Sequence, residues 1–558
     1  MTIRMTIVLY RLSGVALHPT TSNAHACWRR LGRLLVGAAL GLGLFALTAC
    51  TTLGPDFKPP EDRELTSWDD SLHGLAIAPS PPAKALVATP ELAFWWETFN
   101  DPALNRLIAA ARTDNPQLRI AVLQILESRA VLGIAGSALY PQVQQINASA
   151  SYVNKNDHEV SNPLTDGSRT TFGAGFNIGW ELDFWGRFRR GVESADASFF
   201  ASVENQRAAQ VLINAQVVSL YYSYRVIQAR IDIALKNAEI QKRSFDIATE
   251  LFKSGNASEL DLQQAKTQYL STRASIPLLE QALTQTRNAL AVLLGRSPGS
   301  LPGLDDDDYQ LPQVDCTKVA VLPAHLLLRR PDIRAAVWQV AAQSAQIGIA
   351  EADYYPSISL VGSLGWNGSS RSTAGASSLG IGPALSWNIF SYGRIENNVR
   401  LQDARLQQLI ENYRNLVLQA AAEVDNAAIA VVKSAEQEAL LHETVMTAER
   451  ALQIANTSYQ EGYADFQRVL DAQRSLFAQN DRLISARSQN IAAVISLYKG
   501  LGGGWSPAQV ADMLPERVIE TMKQRVDWGA LLDDPLPAPG QQPDFVKSGD
   551  RSMSEHHE

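Results

Sequence analysis

Asp471 and Arg474 stand three residues apart in a run without glycine or proline, which places them on one face of a helix. The chemistry open to such a pair is electrostatic. It can hold two surfaces together weakly and release them, since exposed pairs contribute about 0–1 kcal/mol each. Glu181 and Asp183 form a second set, at alternate positions of Phe172–Phe184 (FGAGFNIGWELDF). A third reactive group is the thiol of Cys50, which closes Leu47-Thr48-Ala49-Cys50. No catalytic centre is arranged anywhere. There is no HExxH or CxxC, and the eight histidines are scattered. Gly362-Ser363-Leu364-Gly365 lacks the spacing of a nucleophile elbow. Gly500–Gly504 is not followed by Lys-Ser/Thr, so it is no phosphate loop. Asp305–Asp308 lacks the alternate-position spacing of a calcium loop. Cys316 reads as a small packed residue. The expectation is no enzyme, no metal and no cofactor.

The carboxylates sit on an unusual element. Phe172, Ala174, Phe176, Ile178, Trp180, Leu182 and Phe184 share one face at period two, while Glu181 and Asp183 lie on the other. A strand that is apolar outside and polar inside suits the wall of a membrane barrel, where about 9–11 residues cross the bilayer. An edge strand of a soluble sandwich gives the same pattern. The alternation recurs in Leu379–Ile389, with Pro383 awkward inside a ladder.

The recurrence belongs to a duplication. Asn115–Ala121, Gly133-Ile134-Ala135 and Tyr140-Pro141 return 215 residues later as Arg330–Ala336, Gly348-Ile349-Ala350 and Tyr355-Pro356. From Trp180 onward the offset is 207, as in Gly186-Arg187 and Gly393-Arg394 or Gly255 and Gly462. One indel of eight residues, in the loop between two strands, accounts for the change. Each half reads as helix, strand, strand, very long helix, glycine break and helix. Val192–Ser254 and Ile395–Glu461 run 63 and 67 residues without Gly or Pro, the length of a coiled coil or repeat helix. A seam runs through Leu406, Ile410, Tyr413, Val417, Ala420, Val424, Ala427 and Val431. The glycine breaks mark a tip where each long helix turns back, and Asp471 and Arg474 follow the second break.

The expected organisation is a signal peptide at 1–49 and a lipidated, proline-rich tether at 50–90. The first repeat covers 91–300 (strands about 142–153 and 172–184), with an inter-repeat loop at 301–320. The second repeat covers 321–505 (strands about 357–366 and 379–390), and a tail at 506–558 ends in disorder. Arg29, Arg30 and Arg33 precede the apolar run Leu34–Ala46, as in a secretory signal. No later stretch reads as a transmembrane helix. The 558-residue chain has a net charge of −8. Residues 1–49 hold five arginines and no acid, so the remainder carries 44 Lys+Arg against 57 Asp+Glu, a net −13. That charge argues against a nucleic-acid partner. Four strands cannot close a membrane barrel, because open edges leave backbone groups unpaired in lipid and the smallest barrels have about eight strands. The chain must therefore oligomerise: a dimer gives eight strands and a trimer twelve.

Several stretches resemble the outer-membrane efflux proteins (TolC-like, lipoprotein branch) of bacterial tripartite pumps. Cys50 resembles the acylated cysteine of a bacterial lipobox, and Thr51 fits outer-membrane rather than inner-membrane retention. Leu53–Pro60, Trp95–Phe99 with Asp101-Pro102, Glu181–Arg187, Arg330–Ile333, Leu470–Arg474 and Leu497–Trp505 carry the rest. The resemblance implies a homotrimer with a twelve-stranded barrel in the outer membrane and a long α-helical tunnel through the periplasm. It implies docking on a periplasmic adaptor and an inner-membrane transporter, and a passive gated conduit that exports small molecules. Glu181 and Asp183 would then face the barrel lumen. In such channels the matching Asp and Arg, with a leucine four residues before the Asp, form the periplasmic gate; here Gln467 replaces the leucine. The repeat copy has Gln264 and Thr267 in place of Asp471 and Arg474. A protein-secretion duct and a pore-less coiled-coil lipoprotein are the competing readings.

Overall fold

The computed structural model describes residues 52–60, 72–73, 75, 90–155, 167–299, 301, 304, 311–312, 324–370 and 372–537. The signal segment, Cys50, Asp305–Asp308, Cys316 and the end of the tail lie outside the described residues. The duplication is reproduced in the elements. Helix α1 (Pro102–Asp114) precedes the first copy, which holds α2 (Pro116–Ser137), β1 (Val143–Lys155), β2 (Gly167–Leu182), α3 (Arg187–Lys253) and α4 (Glu259–Leu293). The second holds α5 (Pro331–Ala352), β3 (Ser357–Ser369), β4 (Ser372–Ser386), α6 (Arg394–Gln460) and α7 (Phe466–Gly500). Paired helices have equal lengths: 22 residues for α2 and α5, 67 for α3 and α6, and 35 for α4 and α7. At 1.5 Å per residue the long helices reach about 100 Å.

Contacts repeat as well as lengths. Trp180 donates its indole N–H to the Leu139 carbonyl (3.2 Å), and Trp387 donates to Tyr354 (3.0 Å), at the two offsets already noted. The Asn115 side-chain amide reaches the Leu293 carbonyl at 2.8 Å, and its counterpart Arg330 reaches Gly500 at 2.8 Å. Both bonds satisfy a carbonyl that the end of α4 or α7 leaves without an intrahelical donor.

The turns after the long helices are built alike. Gly255 and Gly462 take φ of 81° and 79°, which favours glycine. Asn256 N–H then reaches back to the Leu251 carbonyl, and Tyr463 N–H to Ser458, each at 2.8 Å. This is the helix ending that a left-handed glycine permits. Behind the turns, Ala248, Ala265, Val445, Leu452, Phe466, Val469, Leu470 and Leu476 form one apolar cluster that joins all four helices of the tip. The seam along α6 is buried from Tyr413 to Val431, while Leu406 and Ile410 are half-buried.

The four strands make one antiparallel sheet in the order β1-β2-β3-β4. They are longer at the hairpin ends than the apolar alternation alone indicates, because small polar residues such as Ser377 and Ser378 continue the ladder. They stop earlier at the helix ends, at Leu182 and Ser386. Pro383 lies in β4, an edge strand of the sheet, where proline is tolerated.

Two further expectations are corrected. Residues 52–60 do not run free as a tether: Leu53 N–H bonds the Trp185 carbonyl at 3.1 Å. Residues 506–537 fold onto the body, with α8 (Glu516–Arg525) and a cluster of Val510, Leu514, Met522 and Leu532 against Val122 and Leu126 of α2. Arg129 binds the carbonyls of Leu531, Asp534 and Pro535. Helix α6 is long and apolar enough over 18 residues to pass as a membrane span by length and composition. Its apolar residues Val424, Ala427, Ala428 and Val431 are instead buried against α7.

Candidate functional site

The register of the sheet sorts its residues by face, since directly opposed residues of an antiparallel pair share a face. Phe176 lies opposite Ile146 and Leu364, Ala174 opposite Ala148 and Trp366, and Leu364 opposite Leu379. These side chains are exposed: Ile146 is 82% exposed, Leu379 80% and Ile381 77%. In water such a patch would be a liability, whereas facing lipid it is what a barrel wall requires. The opposite face carries Asn177 with Gln145 and Ser363, and Gly175 with Asn147 and Gly365. Amides and hydroxyls here pair across strands, as Ser151 does with Thr171 at 2.7 Å.

Glu181 lies on this polar face, opposite Ser359. Its carboxylate is 3.8 Å from Arg187, which is also 3.8 Å from Asp353. Asp183 is different. The strand ends at Leu182, and the Asp183 carboxylate turns onto the start of α3, accepting from Phe188 N–H (3.1 Å), Arg189 N–H (3.0 Å) and the Arg189 side chain. The expectation that it faces a lumen from the strand is corrected: a carboxylate satisfies N–H groups that the helix start leaves open. Position alternation alone could not distinguish a last strand residue from a helix cap.

At the tip the three sequence-predicted gate residues come together. Gln467 donates its amide to Asp471 at 3.1 Å, and Arg474 lies 3.6 Å from the same carboxylate oxygen. Arg474 also donates to Gln268 of α4 at 2.9 Å, so the cluster bridges the two repeats. Gln268 was missed because it lies 206 residues away and nothing in its own surroundings marks it. Gln467 thus holds the carboxylate of Asp471. An exposed apolar side chain occurs instead at the repeat equivalent of 467, Leu260, 65% exposed.

On the buried side of the same turn lies a polar layer. Gln473, 2% exposed, donates to Ser244 of α3 at 2.7 Å. The Gln473 carbonyl oxygen and both polar atoms of Gln241 have no hydrogen-bond partner among the described residues. Packing between α3 and α7 is therefore weaker here than an apolar layer would be.

A model of the outer membrane efflux protein family matches residues 107–296 and 322–503, one segment per repeat. The chain belongs to this family. It is 32% identical over 468 residues to the cation efflux system protein CusC of Escherichia coli, covering 82% of this chain and 97% of that protein. Over 467 residues it is 30% identical to the toluene efflux pump outer membrane protein TtgF of Pseudomonas putida, covering 82% and 95%. Among solved structures, the outer-membrane channel OprN superposes with a TM-score of 0.72 at 31% identity, covering 82% of this chain and all of that one. The chain is thus an outer-membrane efflux channel with a sheet for the membrane and a helical body.

Proposed function

We propose that three copies close their sheets into one twelve-stranded barrel, continued below by a tunnel of long helices. The observation that supports this is the sheet itself. It has four strands, one apolar and one polar face, and β1 and β4 at its edges. In lipid those edges must be paired, and β1 of one copy against β4 of the next does this without leaving an edge. The polar face then lines the lumen, with Glu181 near its periplasmic end. The lipid on Cys50 holds the chain to the same membrane. The helical tip docks on a periplasmic adaptor, and through it on an inner-membrane transporter that does the energised work. The chain acts as a passive conduit for small molecules and performs no catalysis. Gln467, Asp471 and Arg474, with Gln268, form the gate at the tip, held by weak exposed pairs that docking can release.

Native mass measurement of the detergent-extracted protein tests the assembly. Three chains per particle are expected; one or two would overturn the proposal. Labelled palmitate should enter the wild type and not a Cys50→Ala variant. Label in both variants would place the lipid elsewhere.

A further inference from the structure

The residues directly after Cys50 enter a socket. Arg190 on α3 is 3% exposed, and its guanidinium is almost wholly engaged with the chain's own start. It donates to the carbonyls of Leu53 (2.9 Å) and Gly54 (3.1 Å) and to the Asp56 carboxylate (2.8 Å), with Glu193 at 2.7 Å on the other side. The floor of the socket is made of glycines. A Cβ on Gly186 would come within 2.7 Å of Thr52, and one on Gly348 would strike the Leu53 carbonyl. Gly54 itself has φ of 86° and lies against the backbone of Gly348. Only bare backbone on both sides allows this approach.

The duplication supplies an internal comparison. The second copy has Gly393 for Gly186, and the first has Gly133 for Gly348, so the glycine pattern is kept. Asn397 stands for Arg190, however, and Arg400 for Glu193. Among the described residues, no atom from outside its own stretch of helix lies within 4 Å of where a Gly133 Cβ would be. The two sites differ in the buried cation, and among the described residues only the one with Arg190 holds a segment.

The height of the socket is informative. Leu53 is bonded to Trp185, whose ring stacks on Tyr355 at 4.6 Å and donates to the Pro356 carbonyl at 2.8 Å. Trp180 and Trp387 lie at the same ends of the strands. Indole and phenol rings at strand ends mark a membrane–water interface. Cys50 precedes Thr52 by two residues in the chain.

We propose that Arg190 is a positioning residue that clasps Leu53–Asp56 and so roots the acyl chains of Cys50 at the periplasmic rim of the barrel, as a fixed mount and not a flexible leash. The inference rests on the reading of Cys50 as the acylated residue. Docking also completes the fold at the rim: an unoccupied socket would leave a buried guanidinium with Glu193 as its main partner. Glu193 is pushed up by burial, against the opposing effect of Arg190.

Hydrogen exchange by mass spectrometry on the full-length, membrane-extracted protein tests the clasp. The peptide covering Leu53–Phe57 should exchange at least tenfold faster in Arg190→Ala than in the wild type, with peptides of the tip unchanged. Gly54→Val should give the same release from the segment side, with Arg190 and the body intact, which covers the case of a misfolded Arg190 variant. Asn397→Ala, at the repeat-equivalent site, should leave the peptide protected. Fast exchange in the wild type, or continued protection in both Arg190→Ala and Gly54→Val, would overturn the proposal. A photoactivatable palmitate should cross-link to the Trp185–Tyr355 region in the wild type and lose that cross-link in Gly54→Val. Absence of any label would sink the Cys50 reading alone, because exchange at Leu53 reports the clasp without the lipid.

Discussion

Single side chains decide more here through caps and clasps than through reactivity. Asp183 is the clearest case: its carboxylate caps α3, so Asp183→Ala should lower stability by about 1 kcal/mol, read as a shift in denaturation midpoint. At the proposed gate, Asp471→Ala and Arg474→Ala should each raise single-channel conductance. The gain should be modest, up to about fivefold, because exposed pairs contribute only about 0–1 kcal/mol. Tyr221 carries a pH dependence. Its hydroxyl is pushed up by burial first and then by donating to Asp101 at 2.6 Å, so the folded state holds that proton more tightly than the unfolded chain. Stability from this group is complete below the unfolded tyrosine value of about 10 and is lost as pH rises above it. Denaturation midpoints measured from pH 9 to 11 should therefore fall less steeply in Tyr221→Phe than in the wild type. Asp471 and Arg474 were legible as a pair from their spacing. Gln268 and Asp183's true role were not, since one needs the neighbouring helix and the other the place where the strand ends.

At the scale of elements, the duplication made most of the architecture legible. Two constant offsets located both long helices and both glycine breaks, and the structure gives paired helices of equal length. The indole bonds of Trp180 and Trp387 follow the same offsets, so Trp180→Phe and Trp387→Phe should each cost about 1 kcal/mol, with similar losses in thermal denaturation. Strand ends were less legible. Ser377 and Ser378 continue β4 without any apolar signal, and Trp387 and Ile389 keep the alternation after the ladder has stopped. Proline content misled at both termini. Pro55, Pro59 and Pro60 suggested a free tether, yet backbone carbonyls bound by Arg190 fix the segment. Pro535 and Pro537 likewise lie where Arg129 and Arg207 collect carbonyl oxygens.

The whole molecule is organised by a sheet that fits neither water nor lipid alone. Its apolar face asks for hydrocarbon, its polar face for water, and its two edges for other strands. Lysine at Ile381, on the apolar face, should cost about 2–4 kcal/mol near the membrane midplane and reduce outer-membrane yield. Lysine at Asn177, on the polar face, should leave yield unchanged, and equal losses in both would contradict the assignment of faces. The conduit itself is tested most directly by single-channel recording of the full-length protein in planar bilayers. Uniform stepwise openings are expected, larger in Asp471→Ala than in the wild type. A protein that assembles and inserts but passes no current in either form would contradict the account.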